Sequence, residues 1–404
     1  MSQSVGDLRR QFRALDRRHR GLPIAYFDGP GGTQVPEPVI EAMADYLRHH
    51  NANTHWNYPT SHETDQLIGE ARQAVADFLN ASPEEVAFGQ NMTTLTFHLA
   101  RGLVRGWRAG DEIIVTDLDH QGNVGPWEAI ARDTGLVLVR IPFRAGDGTL
   151  DLDRLVGSIG PKTRLVAVGG ASNALGSITD VRVACQAARA AGVVSFVDAV
   201  HLAPHLLPDV AHIGCDYLGC SPYKFYGPHI GVLYGRKSLI ESLDIPKLGP
   251  SPNSSPERFE TGTQNHEGIV GTRAAIDFLA GVSPQGDRRA SLVASYHVLH
   301  ERAMVLFRRL WDGVGMLPGI RRFGQGPDGA RTPTLGFVVD GVDSSRVATQ
   351  LAEQAVFVTH GDFYASTVVE RLGLGAEGLV RAGCACYTKE EEIDRLVAGL
   401  ANVR

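Results

Sequence analysis

The segment Ser221-Pro222-Tyr223-Lys224-Phe225-Tyr226-Gly227-Pro228 decides the reading of this chain. One apolar run, Tyr217–Cys220, leads into it, and a second, Ile230–Tyr234, follows it. A further run, Gly192-Val193-Val194-Ser195-Phe196-Val197-Asp198, ends in an acid 26 residues before Lys224. An apolar run closing on a carboxylate reads as a core strand of a parallel sheet, and such sheets bind ligands beyond the carboxyl ends of their strands. A lysine held a short way on between Pro222 and Gly227 would face the same crevice. A lysine amine that can form a Schiff base and an acid that can hold a pyridinium nitrogen are what pyridoxal 5'-phosphate (PLP) chemistry needs. Taken singly, Lys224 would be a surface residue in a turn and Asp198 a helix cap. Their conjunction points to a site.

Bulk properties bound the rest. A chain of 404 residues is too long for one core, so two or more domains are expected. With 43% hydrophobic and 21% charged residues, the composition is that of a globular protein. A net charge of −6 argues against nucleic acid as the main partner, and no long apolar span suggests a membrane. Cys185, Cys215, Cys220, Cys384 and Cys386 form no CxxC and no metal-type cluster. Fifteen scattered histidines include no HExxH, so no metal site is expected. Without a recognisable signal peptide, the expected compartment is the reducing cytoplasm.

Helices and strands alternate along most of the chain. Residues 1–25 read as an arm whose Arg-rich start predicts an exposed helix over 1–20, solvated or laid over a partner subunit. Helices are predicted over 36–49, 65–80, from 91 to about 105, 127–134 and 181–191. Strands are predicted over 85–89, 111–116, 137–142, 164–168 and 193–197. This alternation gives βαβ units and a mostly parallel, seven-stranded type of sheet in a large domain, 26–281. The pattern changes after Gly281-Val282-Ser283-Pro284-Gln285-Gly286. A long helix over 288–312, strands near 334–339 and 355–358, and a last helix over 389–401 make a smaller α+β domain, 282–404.

Four segments, in this order, carry a resemblance to a known family: Ser172-Asn173-Ala174-Leu175-Gly176, Val197-Asp198-Ala199, the Lys224 segment itself, and Arg258-Phe259-Glu260-Thr261-Gly262-Thr263. Over roughly residues 25–400 the chain resembles the class V aminotransferases, the group of fold-type-I PLP enzymes that includes the cysteine desulfurases. The resemblance implies PLP as cofactor and Lys224 as its Schiff-base lysine, with Asp198 on the pyridine nitrogen and His120 stacked on the ring as a possible proton carrier. It implies Asn173 and His201 near the ring hydroxyl, His201 standing where the desulfurases usually have Gln. Thr93, Thr94 and Ser221 would hold the phosphate, with Tyr223 where many relatives have His. Thr263 would reach the phosphate of a partner subunit, which implies a homodimer. Arg381 would bind the α-carboxylate of a small amino-acid substrate through its planar fork.

One departure from the family matters for the reaction. The desulfurases carry a nucleophilic Cys on a loop before that Arg, whereas here the stretch reads Val358-Thr359-His360-Gly361-Asp362-Phe363-Tyr364-Ala365. Tyr364 stands about where the thiol would be, and His360 and Tyr364 become candidates for substrate contact or proton transfer. The expectation is therefore an enzyme acting at Cα by β-elimination of the C–S lyase type or by transamination, with epimerisation as the alternative. A non-catalytic relative should have lost Lys224, Asp198 or Arg381, and all are present. An ordinary nucleotide-binding α/β protein should carry a GxGxxG after its first strand or a Walker motif, and neither occurs.

Overall fold

In the computed structural model, which describes residues 5–403, seven apolar runs form one sheet. Its strands are β1 (Val86–Gly89), β2 (Glu112–Thr116), β3 (Val137–Ile141), β4 (Thr163–Gly169), β5 (Val194–Asp198), β6 (Tyr217–Cys220) and β7 (Gly231–Gly235). They lie in the order β1-β7-β6-β5-β4-β2-β3. β7 is antiparallel to both neighbours, and every other pairing is parallel. Six strands therefore point one way and end along one edge.

The apolar runs are continuous because both faces of the sheet are covered. Alternate residues separate into two cores. Ile114, Val166, Val168, Val197 and Leu218 pack with Ala74 and Phe78 of the helix Pro59–Leu79 and Ile276 of the helix His266–Ala280. Ile113, Leu165, Ala167 and Phe196 pack with Leu95 and Leu99 of the helix Met92–Leu103 and with Trp127. Each of the larger aliphatic and aromatic side chains contributes about 1.5–3 kcal/mol through burial.

A second sheet serves the same crevice from the other side. It comprises β8 (Ile320–Phe323), β9 (Thr334–Val339), β10 (Thr359–Gly361) and β11 (Leu379–Gly383), antiparallel throughout in the order β8-β9-β11-β10. Its apolar face, with Leu335, Phe337 and Val380, packs on Phe307 and Leu310 of the helix Arg288–Gly315 and on Ile393 and Leu396 of the helix Glu390–Leu400.

The amino-terminal segment differs from the exposed helix the sequence suggests. Residues 1–4 lie outside the described residues. The helix Val5–Arg10 is followed by a short turn of helix, and Leu8, Phe12 and Leu15 are buried. Phe12 packs edge-on against Tyr226, Phe278 and Tyr387. Arg10, Arg13, Arg17, Arg18 and Arg20 are exposed, whereas Arg9 turns inward, donating to the Tyr387 carbonyl at 2.7 Å and pairing with buried Glu392 at 2.8 Å. Ala25–Tyr26 then pairs in parallel with Val356–Phe357, so the strand expected near 355–358 joins the start of the chain. No helix among the described residues is long and apolar enough to cross a membrane.

One close approach fixes where the helix Met92–Leu103 begins. A Cβ on Gly231, the first residue of β7, would lie 2.5 Å from the backbone carbon of Asn91. The contact is to backbone, so it cannot be relieved by turning a side chain. Gly231→Ala should cost about 1–3 kcal/mol in denaturant unfolding and weaken retention of the cofactor, because it pushes the helix terminus out of the crevice. Wild-type stability and cofactor retention in this variant would show that the approach is slack.

Candidate active site

The strand ends converge on a cavity of about 750 Å³. Gln90, Asn91, Met92 and Thr93 reach it after β1, Asp119, His120, Gln121 and Gly122 after β2, and Ala171 and Asn173 after β4. Asp198 closes β5, with Val200 and His201 just beyond it, and Ser221, Tyr223 and Lys224 follow β6. Because β7 runs the opposite way, His229 and Ile230 enter from its start. Arg381, Phe363 and Tyr364 come from the smaller sheet and its loop. A crevice at the carboxyl ends of parallel strands is where α/β sheets bind ligands.

Lys224 is buried, and its Nζ donates to the carbonyls of Pro30 at 2.6 Å and Gly31 at 2.8 Å. Desolvation and then the charge of Arg381 lower its pKa to about 7, against the opposing pull of Asp28 and Asp198. Half of such amines are neutral near pH 7, compared with roughly one in three thousand for an ordinary lysine. Asp198 accepts the N–H of Val200 at 2.8 Å. Burial raises it to about 6, while that bond and Lys224 act the other way.

His120 accepts the N–H of Gly122 on Nδ1 at 2.8 Å, which leaves the ring proton on Nε2. Desolvation, Lys224 and Arg381 lower it to about 4, so the imidazole is neutral at pH 7. Ser221 Oγ accepts the N–H of Met92 at 3.2 Å, tying the Lys224 segment to the start of the helix Met92–Leu103. His201 Nε2 lies 3.2 and 3.1 Å from the hydroxyls of Thr332 and Thr334. Tyr223 stacks on His229 with ring centroids 4.8 Å apart.

Arg381 sits on the inner strand β11, opposite Gly336 of β9 and Thr359 of β10. Its Nη1 donates to the carbonyl of Asn173 at 3.0 Å and its Nη2 to Asp28 Oδ1 at 3.2 Å, and its guanidinium lies 4.1 Å from the centre of the Phe363 ring. These three contacts fix the orientation of the planar fork. Phe363 and Tyr364 are successive residues with positive φ, 56° and 57°. This unusual turn is secured by Asn173 Nδ2 donating to the Phe363 carbonyl at 2.9 Å and by Gln121 N–H donating to the Tyr364 carbonyl at 2.6 Å. The Tyr364 side chain is 72% exposed, with its ring 5.6 Å from that of His120.

Of the residues singled out from sequence, Thr93, His120, Asn173, Asp198, His201, Ser221, Tyr223, Lys224, Tyr364 and Arg381 line the cavity, and Thr94, Thr263 and His360 do not. Thr94 is exposed and donates through its N–H and hydroxyl to Asn91 Oδ1, as in an ordinary helix cap. His360 is exposed on β10, where alternation turns its neighbour Thr359 inward to Asp28 Oδ1 at 3.3 Å. Thr263 is exposed in the turn before the helix His266–Ala280. Sequence reading passed over Asp28, the carbonyls of Pro30 and Gly31, Asp119 and Phe363. The run Asp28-Gly29-Pro30-Gly31-Gly32 could have signalled a turn held close to a ligand.

The cavity has the donor and acceptor set that PLP requires. Among the described residues Asn173 Oδ1, His201 Nδ1 and Arg381 Nε are buried and find no partner, although buried polar atoms are normally bonded. A helix start with the Ser221 and Thr93 hydroxyls suits a phosphate, a buried carboxylate suits a ring nitrogen, and a lysine of low pKa suits an aldehyde.

Comparison with known proteins gives the same class. The family described as aminotransferase class-V matches residues 25–396. A probable cysteine desulfurase of Xylella fastidiosa (strain 9a5c) is 31% identical, covering 98% of this chain and 95% of that protein. A cysteine desulfurase of Pectobacterium carotovorum is likewise 31% identical, over 100% and 98%. Among solved structures, a cysteine desulfurase of Escherichia coli has a TM-score of 0.86 at 29% identity, covering 100% of this chain and 99% of its own. The apo cysteine desulfurase of Thermococcus onnurineus NA1 has a TM-score of 0.88 at 28%, covering 99% and 98%. The chain belongs to the class V aminotransferase family. It is a PLP-dependent enzyme of the fold-type-I class, a transferase or a lyase.

Proposed function

We propose that this enzyme acts at Cα of a small, cysteine-like amino acid and releases its β-substituent by elimination, without carrying sulfur on a protein thiol. The observation that carries the reading is the state of the cysteines. No cysteine is among the residues lining the cavity, and all five are buried. Burial pushes the Cys384 and Cys386 thiols to about 12, so the reactive thiolate is roughly one part in 100,000 at pH 7. A thiol in that state is a poor acceptor of sulfur.

PLP, when bound, supplies the electron sink that lets a Cα–H bond break. The chain supplies the rest. Lys224 would anchor the cofactor through its amine, Asp198 would hold the ring nitrogen, and Asn173 and His201 the ring hydroxyl. Thr93, Ser221 and the first N–H groups of the helix Met92–Leu103 would take the phosphate. Arg381, oriented by Asp28, Asn173 and Phe363, would receive the substrate carboxylate. With a pKa near 7, Lys224 has enough neutral amine to take the Cα proton. The neutral His120 offers its Nε2 proton to the departing group. Elimination from cysteine, with water, then yields pyruvate, ammonia and sulfide. Transamination would share the first proton transfer and leave a keto acid of unchanged skeleton.

The relatives' names favour a second reading, a desulfurase that forms a protein persulfide. Mass spectrometry after incubation with cysteine separates the two. The proposal expects unmodified protein with pyruvate and sulfide in equal amounts, and turnover unchanged in a Cys384→Ser, Cys386→Ser double variant. A persulfide on either cysteine, with sulfur transfer lost in that variant, would make the enzyme a desulfurase.

We also propose that it works as a homodimer with Thr263 completing the partner's phosphate site. Thr263 is exposed and away from its own chain's cavity, and Trp56 and Leu248 expose 60% of their surface. Mixing inactive Lys224→Ala with a Thr263→Ala variant of low activity should restore activity through one intact composite site per heterodimer. No recovery despite demonstrated subunit exchange would place Thr263 outside the site.

A further inference from the structure

Asp119 lines the cavity, directly precedes His120 and is buried, yet none of the roles given above falls to it. A buried carboxylate is costly unless it is paired or well hydrogen-bonded. Among the described residues it forms no ion pair. It accepts from the N–H of Gly169, 3.0 Å from each oxygen, from Asn123 Nδ2, 2.8 Å from Oδ2, and from the Thr116 hydroxyl.

Those bonds join two strand ends. Asp119 follows β2, Gly169 ends β4, and Gly169 stands opposite Asp198 in the β4–β5 register. The Asp119 carboxylate is thereby fixed one strand away from that of Asp198. The position depends on a missing side chain, since a Cβ on Gly169 would lie 2.5 Å from Asp119 Oδ1. On its other side, Asp119 starts the turn in which Gly122 N–H fixes the His120 ring.

We propose that Asp119 is a positioning residue of this site: clamped to Gly169 and Asn123, it holds the His120 turn in place and sets a second carboxylate beside Asp198. The inference rests on reading the cavity as the PLP site and is independent of which bond the enzyme cleaves. Like charges disfavour joint ionisation, so of the two carboxyls Asp198 ionises first and Asp119 keeps its proton to higher pH. Burial and then Asp198 raise Asp119 to about 7. Lys224 pulls Asp198 the other way, Tyr223 and Cys220 also sense its charge, and His120 is neutral. Removing the charge of Asp198 should therefore let Asp119 ionise at lower pH.

Two variants separate the clamp from the charge. Asp198→Asn removes the charge beside Asp119 and leaves the clamp to Gly169 and Asn123 in place. Asn123→Ala loosens the clamp and keeps the charge. In the apoprotein, carboxyl carbon NMR should show Asp119 titrating above Asp198 in the wild type and at least about half a unit lower in Asp198→Asn. In Asn123→Ala the Asp119 midpoint should rise, because the lost hydrogen bond favours its ionised form, while the His120 ring nitrogen shifts change. If Asp119 titrates in Asp198→Asn as in wild type, the two carboxyls are uncoupled, Asp119 is only a structural tie and the proposal is overturned. If Asp198→Asn does not fold, Asn123→Ala decides: unaltered His120 shifts would overturn the clamp. A wild-type protein that binds no PLP would instead bring down the reading of the cavity itself, and this inference with it.

Discussion

The buried amine of Lys224 is the point on which the rest of the site depends. Two backbone carbonyls, of Pro30 and Gly31, hold it in place and by themselves favour its charged form. Desolvation and the neighbouring Arg381 oppose them and win, taking the amine from 10.5 to about 7. That difference corresponds to about 5 kcal/mol between the two protonation states. It is paid for by the fold, because only a covered crevice can keep water from an ammonium group. The seven-stranded sheet, its two cores and the smaller sheet that closes over it all serve that exclusion.

The charges around this amine are spread over strand ends that are far apart in the chain. Asp198 closes β5, Asp119 follows β2, Asp28 lies in the early turn and Arg381 on β11. Each is held by a backbone group, and Asp119, Asp28 and Arg381 by another side chain as well, so the charges keep their places when a substrate carboxylate enters. Arg381 shows this best. With one nitrogen on Asn173, one on Asp28 and its face on Phe363, the guanidinium is oriented in advance. The left-handed pair Phe363 and Tyr364 is the strained element that brings the aromatic ring there.

Much of this was legible in the sequence, for physical reasons. Strands buried on both faces must be apolar throughout, so β2, β4, β5 and β6 stood out as runs and Asp198 as the acid ending one of them. The strands of the smaller sheet did not stand out. β8 carries Arg321 and Arg322 side by side, and β10 has three residues, one of them Gly361. The amino-terminal stripe Leu8, Phe12, Leu15 has helical spacing, but six arginines around it read as a solvated face. Asp28 could not be tied to Arg381, which lies 353 residues away. His360 was two residues past Val358, and only the alternation of β10, with Thr359 turned inward, shows that it faces out.

The most direct test of this account is the ionisation of Lys224 in the apoprotein, followed by the pH dependence of its acylation with a trace amine reagent and read by peptide mapping. A midpoint near 7, rising toward 10 when Arg381→Met removes the neighbouring charge and opens the crevice, is the predicted result. A wild-type midpoint near 10 would mean that the amine is solvated, that the crevice is not closed around it, and that Lys224 does not have the chemistry assigned to it.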